Sequence, residues 1–380
     1  MEETTRKPEN IGHYLSIYLP ITEVWIYNML TSLQNYRPLV LTRTIINENI
    51  FLFERIVSLS RINRLRYLCN YVTFKAIGYF PLFYIKCKSE NVRLIHAHFG
   101  YNGIKILGLK KRLNVPMVCS FYGNDVYLWT AREKYCERLK HLFQSSEQML
   151  VLGPYMKQRL IELGCPEEKI RIHHLGVPVA EMDYRPRELN NQPFRFLIAS
   201  SFMEKKGIEI AIRALDIVKN QVDFTVDIIG DGPLKKDLLA LTNDLKLEEK
   251  IRYHGYQNYS SFLKIAMHSH VFLQASRIAK NGDKEGTPMS LVDAMATSLP
   301  VVSTRHSDIP EIVIDGVTGF LAQEDDPLDF AECILKILDN ADRFNVMSIN
   351  SRKHILANFN IRVQTERIEG LYRNVIAEYN

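Results

Sequence analysis

Residues 194–233 read FRFLIASSFMEKKGIEIAIRALDIVKNQVDFTVDIIGDGP, and this stretch decides the fold. Phe194–Ser200 is an apolar run of strand length, broken only by Arg195. Ile208, Ala211, Ile212, Leu215 and Lys219 recur at spacings of three and four, which predicts a helix over 208–219. Phe224–Ile229 is a second strand, closed by the turn Gly230-Asp231-Gly232-Pro233. Strand, helix and strand in that order make a βαβ unit, whose strands are parallel and covered on both faces.

The same alternation runs outward from this unit. Downstream strands are expected at Ile251–His254, Val271–Leu273, Pro300–Ser303 and Gly319–Leu321. Upstream they are expected at Tyr14–Leu19, Pro38–Thr42, Arg93–Ala97, Pro116–Phe121, Met149–Leu152 and Lys169–His173. Helical stretches such as Glu23–Leu33 and Tyr155–Leu163 lie between them. The segment from Gly176 to Pro193, rich in Pro, polar and charged residues, reads as a linker. A length of 380 residues suits two domains. The expected layout is a first doubly wound α/β domain over 1–176, a linker over 177–193 and a second domain over 194–358. A terminal helix over 359–380 carries the stripe Ile368, Leu371, Tyr372, Val375, Ile376 and Tyr379, and is expected to pack back on the first domain.

With 46% hydrophobic and 24% charged residues, the composition excludes disordered, collagenous and disulfide-scaffold classes. Charge is split unevenly. Residues 1–175 hold 24 Lys/Arg against 14 Asp/Glu, and the remainder holds 24 against 29. A basic half joined to an acidic half suggests two partners. Six cysteines without a CxxC pair read as thiols in a reducing compartment. The polar start MEETTRKPEN lacks the pattern of a signal peptide, and the apolar stretch Tyr67–Ile85 is interrupted by Asn70, Lys75 and Pro81. A cytoplasmic protein is expected.

The chemistry is concentrated in Asp283–Pro310, DKEGTPMSLVDAMATSLPVVSTRHSDIP. A strand leads into a polar loop, and a helix begins near Pro288 or Met289. Glu285 sits in the loop and can project over the helix N-terminus, whose free N–H groups and positive dipole end suit a diphosphate. In doubly wound sheets, ligands bind at the carboxyl ends of strands, where this loop falls. Taken alone, an acid pair at this spacing favours the reading that Glu285 and Asp293 merely cap and solvate a helix.

The surrounding residues give the pair a context. Glu285-Gly286-Thr287-Pro288, Ala294-Met295-Ala296, Leu299-Pro300-Val301-Val302, Ile309-Pro310-Glu311-Ile312-Val313 and Asp315-Gly316-x-Thr318-Gly319-Phe320 closely resemble glycosyltransferase family 4. Glu204-Lys205-Lys206-Gly207 resembles the family's basic EKKG turn, Ile228–Pro233 its IGxGP turn, Tyr253-His254-Gly255 its strand-end segment, and KIRIHHLGV over 169–177 the lead into its linker. His96-Ala97-His98-Phe99-Gly100 and Ser120-Phe121-Tyr122-Gly123-Asn124-Asp125 look like its first-domain blocks. Pro20-x-Thr22-Glu23-x-Trp25-Ile26 is similar to the entry segment of its exopolysaccharide and lipopolysaccharide branch.

The resemblance implies a GT-B fold with two Rossmann-like domains facing a cleft. It implies transfer of a sugar from a nucleotide-diphosphate donor to a lipid-linked glycan acceptor, with retention and without a metal or other cofactor. Glu285 would face the donor sugar as the catalytic residue, and Asp293 would hold the donor ribose. Gly286, Thr287 and the backbone N–H groups of Met289 and Ser290 would hold the diphosphate. Lys206, with Lys205, would neutralise leaving-group charge. His98, Tyr122 and Asp125 fall on the acceptor or sugar side, with Asp125 either orienting a loop or touching the acceptor.

Four positions depart from the family pattern. Asp293 replaces a Glu, Ser201 replaces an Arg, Tyr122 replaces a His, and Pro20–Trp25 stands where a glycine-rich loop is common. These changes leave a non-catalytic partner subunit as the competing reading. His96 and His98 share a strand face, but the sequence offers no third ligand near them for zinc. A nucleotide-dependent oxidoreductase would need a GxGxxG after the first strand, which is absent, and no nucleic-acid-binding module is recognisable. Finally, Arg55, Arg61, Arg64, Arg66, Lys75, Lys86 and Lys88 fall among Phe, Tyr, Leu and Ile. Such a segment is either a solvated basic face or a contact with an anionic membrane, which would place the protein on the inner face of the cell membrane.

Overall fold

The computed structural model describes residues 8–189, 193–339 and 341–379. The chain divides into two compact units, one comprising residues 1–176 with 361–380 and the other residues 177–360.

The first unit is built on seven parallel strands: β1 (Glu9–Tyr18), β2 (Tyr36–Ile45), β3 (Ile56–Ser58), β4 (Val92–His98), β5 (Met117–Ser120), β6 (Gln148–Val151) and β7 (Ile170–Ile172). Their order is β3-β2-β1-β4-β5-β6-β7. Two features differ from the sequence reading. β3 is only three residues long, too short for an apolar run to stand out. β1 begins at Glu9, because Asn10 and Gly12 pair in the sheet although neither is a strand former by composition. The longer strand brings His13 opposite His96 in the ladder between β1 and β4. The helix Ile361–Tyr379 belongs to this unit, burying Ile368, Tyr372, Val375 and Ile376 against Ile11, Leu94, Val118 and Leu150.

The second unit has six parallel strands: β8 (Phe194–Ala199), β9 (Phe224–Ile229), β10 (Ile251–Gly255), β11 (Val271–Gln274), β12 (Val301–Thr304) and β13 (Gly319–Ala322). Their order is β10-β9-β8-β11-β12-β13. The chain reverses direction of growth between β8 and β11, and the carboxyl ends of those two strands flank the crevice in which such sheets take ligands. Most of the expected linker is not a free connection. Val179 and Met182 are in the apolar core of this unit. Arg187 is buried and donates to the carbonyl oxygens of Ser269, Ala266 and Thr297. Burial lowers its guanidinium to about 9.

Candidate functional site

β8 ends at Ala199, and a turn follows that contains the short helix Glu204–Lys206. Gly207 closes the turn at φ +57, where a Cβ would lie 1.8 Å from the carbonyl oxygen of Ala275. Only glycine lets the turn sit against the loop leaving β11. That contact brings Lys206 to Glu285, whose side chains form a largely buried ion pair. Beside it, Lys205 Nζ lies 3.1 Å from Asp283 Oδ2 and donates to the carbonyl of Lys284. Burial pushes the Glu285 carboxyl up, but Lys206 and Lys205 outweigh it and hold it below the ordinary value.

The backbone at Glu285 is pinned as well. Its N–H donates to His306 Nε2 at 3.0 Å, and His306 Nδ1 lies 2.8 Å from Glu324 Oε1. An N–H can only donate, so Nε2 is the bare nitrogen and Nδ1 carries the proton toward Glu324.

The helix Met289–Ala296 follows, with Pro288 as its N-cap. The N–H groups of Leu291 and Val292 both reach the Pro288 carbonyl, which leaves those of Met289 and Ser290 ahead of the first intrahelical bond. The Ser290 hydroxyl donates to the carbonyl of Ala199 at 2.6 Å, tying this helix end to the end of β8. Gly286 is buried and Thr287 half-buried in the approach. Asp293 is one turn further on, buried, and accepts from the hydroxyl of Tyr259 at 2.9 Å. Burial raises its carboxyl to about 7, with the Tyr259 hydrogen bond acting against that rise. Near these groups the Ser200 hydroxyl is buried without a hydrogen-bond partner among the described residues. Lys206, Glu285, Met289, Ser290 and Asp293 therefore lie on the segments that follow the carboxyl ends of β8 and β11, at the switch point of the second sheet. Tyr259, His306 and Ser200 are the members that the sequence reading missed. Tyr259 and Ser200 had no motif to mark them, and His306 lay inside the quoted segment but without a role.

His98, Tyr122 and Asp125 lie in the first unit, at the carboxyl ends of β4 and β5. His98 Nδ1 is 2.8 Å from the Tyr122 hydroxyl, and its Nε2 is 3.2 Å from His13 Nδ1. His96 is buried between the Tyr372 hydroxyl, 2.6 Å from Nδ1, and the Ser120 hydroxyl, 2.7 Å from Nε2. His13 supplies the third imidazole that the sequence did not reveal: ligand atoms of His13, His96 and His98 lie within 4.8 Å of one another. Burial lowers His13 to about 3 and holds the other two well below the ordinary value, so all three are neutral. Both nitrogens of His96 and of His98 are in hydrogen bonds, so a cation held by those two would replace bonds, whereas Nε2 of His13 is buried without a hydrogen-bond partner among the described residues. Asp125 accepts from the N–H groups of Gly100, Tyr122 and Gly123 at 2.8, 3.1 and 3.0 Å. Both of its oxygens hold the loops after β4 and β5 together, which is the loop-orienting alternative. Trp25 packs at 5.9 Å from Tyr122, in the segment that replaces the glycine-rich loop.

Two parallel sheets with Rossmann strand order, the second carrying a lysine–glutamate pair beside a helix N-terminus, define the GT-B class of glycosyltransferase. The fold matches that of HepE from Anabaena, crystallised with UDP, with a TM-score of 0.79 at 16% identity over 96% of this chain and 100% of that one. The model for glycosyl transferases group 1 matches residues 181–354, and that for glycosyltransferase family 4 matches residues 36–181. The amylovoran biosynthesis glycosyltransferase AmsK of Erwinia amylovora is 34% identical over 63% of this chain, a match that spans 60% of the relative's length. The putative colanic acid biosynthesis glycosyltransferase WcaL of Salmonella typhimurium is 30% identical over 73% of this chain and 70% of its own. An Escherichia coli UDP-Gal:alpha-D-GlcNAc-diphosphoundecaprenol alpha-1,3-galactosyltransferase is 26% identical over 76% of this chain and 77% of its own. The chain belongs to glycosyltransferase family 4.

Proposed function

We propose that the protein is a retaining glycosyltransferase that moves a hexose from a nucleoside-diphosphate sugar to a lipid-linked glycan acceptor during assembly of a bacterial surface polysaccharide. The observation that carries this reading is the Lys206–Glu285 pair at the switch point of the second sheet, beside the amides of Met289 and Ser290. In this reading the donor diphosphate accepts from those two amides and from Lys206. The bond between the anomeric carbon and the diphosphate breaks, and its electron pair leaves with the nucleoside diphosphate. The acceptor hydroxyl bonds to the same face of the sugar and passes its proton to the departing phosphate. Glu285, ionised because two lysines offset its burial, holds donor hydroxyls and stabilises positive charge at the anomeric carbon. Asp293 accepts from the ribose hydroxyls. Its side chain is one methylene shorter than glutamate, and Tyr259 fixes it in place.

The acceptor belongs to the first unit, where Tyr122 offers a hydroxyl held by His98. The name of the Escherichia coli relative, with its diphosphoundecaprenol acceptor, supports a lipid diphosphate as the anchor. Among the described residues no helix is long and apolar enough to cross a membrane. The basic first half supports peripheral contact with the anionic inner face of the cell membrane instead.

Release of nucleoside diphosphate from UDP-, GDP- and ADP-sugars tests the reading, with Glu285→Ala as control. Release from one donor, lost in the variant, is the expected result. Failure to bind any donor, with wild type and variant alike, overturns it.

A further inference from the structure

The helix Arg64–Ile77 has fourteen residues, none of them buried. It is nevertheless a well-made helix. The Asn63 side chain accepts from the Arg66 N–H at 2.9 Å, and Gly78 ends it at φ +81. It is attached along one side only: the Phe74 ring stacks on Phe80 at 4.4 Å, and Asn70 Oδ1 accepts from the Leu82 N–H at 2.9 Å. At 100° per residue, Tyr67, Asn70 and Phe74 form that inner side, and Leu65, Leu68 and Val72 lie opposite. Those three are 71%, 55% and 58% exposed. Single exposed leucines are ordinary, but three exposed aliphatic side chains on one face over two turns of a helix are not.

Charge identifies what covers the stripe. On the same wheel Arg64 and Lys75 flank it on one side and Arg66 on the other. No Asp or Glu occurs between Arg55 and Lys88. Arg55 and Arg61 are neutralised by Glu90 and Glu48, whereas Arg64, Arg66, Lys75, Lys86 and Lys88 make no ion pair among the described residues. A second copy of this face would set cations against cations. A protein partner's buried core is depleted of charge, and nucleic acid gives aliphatic side chains nothing to enter. Aliphatic groups flanked by Arg64 and Lys75 on one side and by Arg66 on the other match hydrocarbon below a layer of phosphates.

We propose that the helix Arg64–Ile77 docks the first unit on an anionic bilayer, lying in the headgroup plane with Leu65, Leu68 and Val72 inserted. The proposal rests on the reading that the acceptor is lipid-linked, and it names the surface that brings the enzyme to that acceptor. Flotation of the full chain with vesicles of phosphatidylcholine, alone or with phosphatidylglycerol, tests it. Binding is expected only to the vesicles with phosphatidylglycerol. Arg64→Gln with Lys75→Gln weakens it by about fivefold for each cation removed, and added salt mimics that loss. Leu68→Gln with Val72→Gln abolishes binding at every salt concentration. Both variants lie on exposed positions, so circular dichroism and nucleoside-diphosphate release from the soluble donor stay at wild-type levels.

Three results overturn the proposal: no flotation of the wild type, flotation unaffected by either variant, or a dimer in solution that Leu68→Gln dissolves. Absent donor turnover in the wild type with flotation intact counts against the glycosyltransferase reading and not against the docking helix.

Discussion

The N–H of Glu285 donates to Nε2 of His306, and this bond fixes both partners. It sets the path of the loop at the candidate catalytic residue, and it dictates which imidazole nitrogen carries the proton. Glu324 completes the arrangement by facing Nδ1. His306→Ala removes the acceptor and leaves a buried N–H unpaired, at a cost of about 1–3 kcal/mol in stability. The same change lets Glu285 drift, so kcat falls while KM for the donor moves less. Urea unfolding and steady-state kinetics on one preparation check both effects. Wild-type kcat with reduced stability would leave His306 only a structural part.

The pair Lys206–Glu285 makes a signed prediction in pH. In the wild type the Glu285 carboxyl is held below its ordinary value, so the pair contributes stability above the unfolded carboxylate pKa and loses it as pH falls through the lower folded value. In Lys206→Met burial is less opposed, so the folded carboxyl moves upward and prefers to be neutral. The difference in stability between wild type and variant is therefore small in acid and grows as pH rises, to about 3–5 kcal/mol. Thermal melts from acid to neutral pH follow it directly. In the proposed reading Lys206 also meets the donor phosphate, so activity falls about 10²–10³-fold in the variant.

Asp293 carries the opposite sign. Its folded carboxyl is raised to about 7, so between the unfolded value and 7 the native state holds more protons, and stability falls as pH rises through that window. Asp293→Asn removes the slope. In the proposed reading the ionised carboxylate is the form that accepts from the donor ribose. Affinity for the nucleoside diphosphate of the accepted donor is thus expected to strengthen in the wild type as pH rises through about 7 and to stay flat in Asp293→Asn. Tyr259→Phe deletes the hydrogen bond that lowers the pKa, and moves the wild-type transition to higher pH. Calorimetric titration at several pH values measures all three proteins.

How far the sequence led follows from which residues act locally. The six strands of the second sheet were legible because each is a short apolar run ending in a turn. Glu285 and Asp293 were legible because both lie on one continuous segment. His306, Tyr259 and His13 were not, since each acts through a partner 21, 34 or 85 residues away, and periodicity carries no information over that distance. β3 is too short to show a period. The stretch after Gly176 reads as a linker by composition, yet Arg187 is buried among carbonyl oxygens that only the folded second unit assembles.

Gly207 and Gly255 share a left-handed backbone but differ in surroundings. A Cβ at Gly207 would meet the Ala275 carbonyl at 1.8 Å, whereas one at Gly255 would meet nothing within 4 Å. Gly255→Ala costs only the backbone penalty, about 1–2 kcal/mol, and leaves activity intact. Gly207→Ala adds a clash that must push the turn carrying Lys206 away from the loop carrying Glu285. It is expected to lose most donor turnover even where the protein still melts cooperatively. Equal activity in the two variants would detach the turn from the chemistry.

The terminal helix is held to the first unit by specific bonds as well as by its apolar stripe. Glu369 Oε1 accepts from the N–H groups of Gln34 and Asn35 at 2.6 and 2.8 Å, and the Tyr372 hydroxyl meets His96 in the sheet. Glu369→Gln turns charged acceptors into neutral ones and costs about 1 kcal/mol or more, because hydrogen bonds to charged groups are worth about 1.5–3 kcal/mol against roughly 1 for neutral ones. Tyr372→Phe leaves His96 Nδ1 buried without a partner and removes no apolar area, so its cost isolates the hydrogen bond at about 1–3 kcal/mol. A fragment ending at Gly176 lacks all of these contacts and uncovers Ile11, Leu94, Val118 and Leu150. It is expected to be insoluble alone and to be rescued when residues 361–380 are fused to it through a flexible linker. A soluble, cooperatively folded 1–176 fragment would show that the helix is dispensable to the first unit.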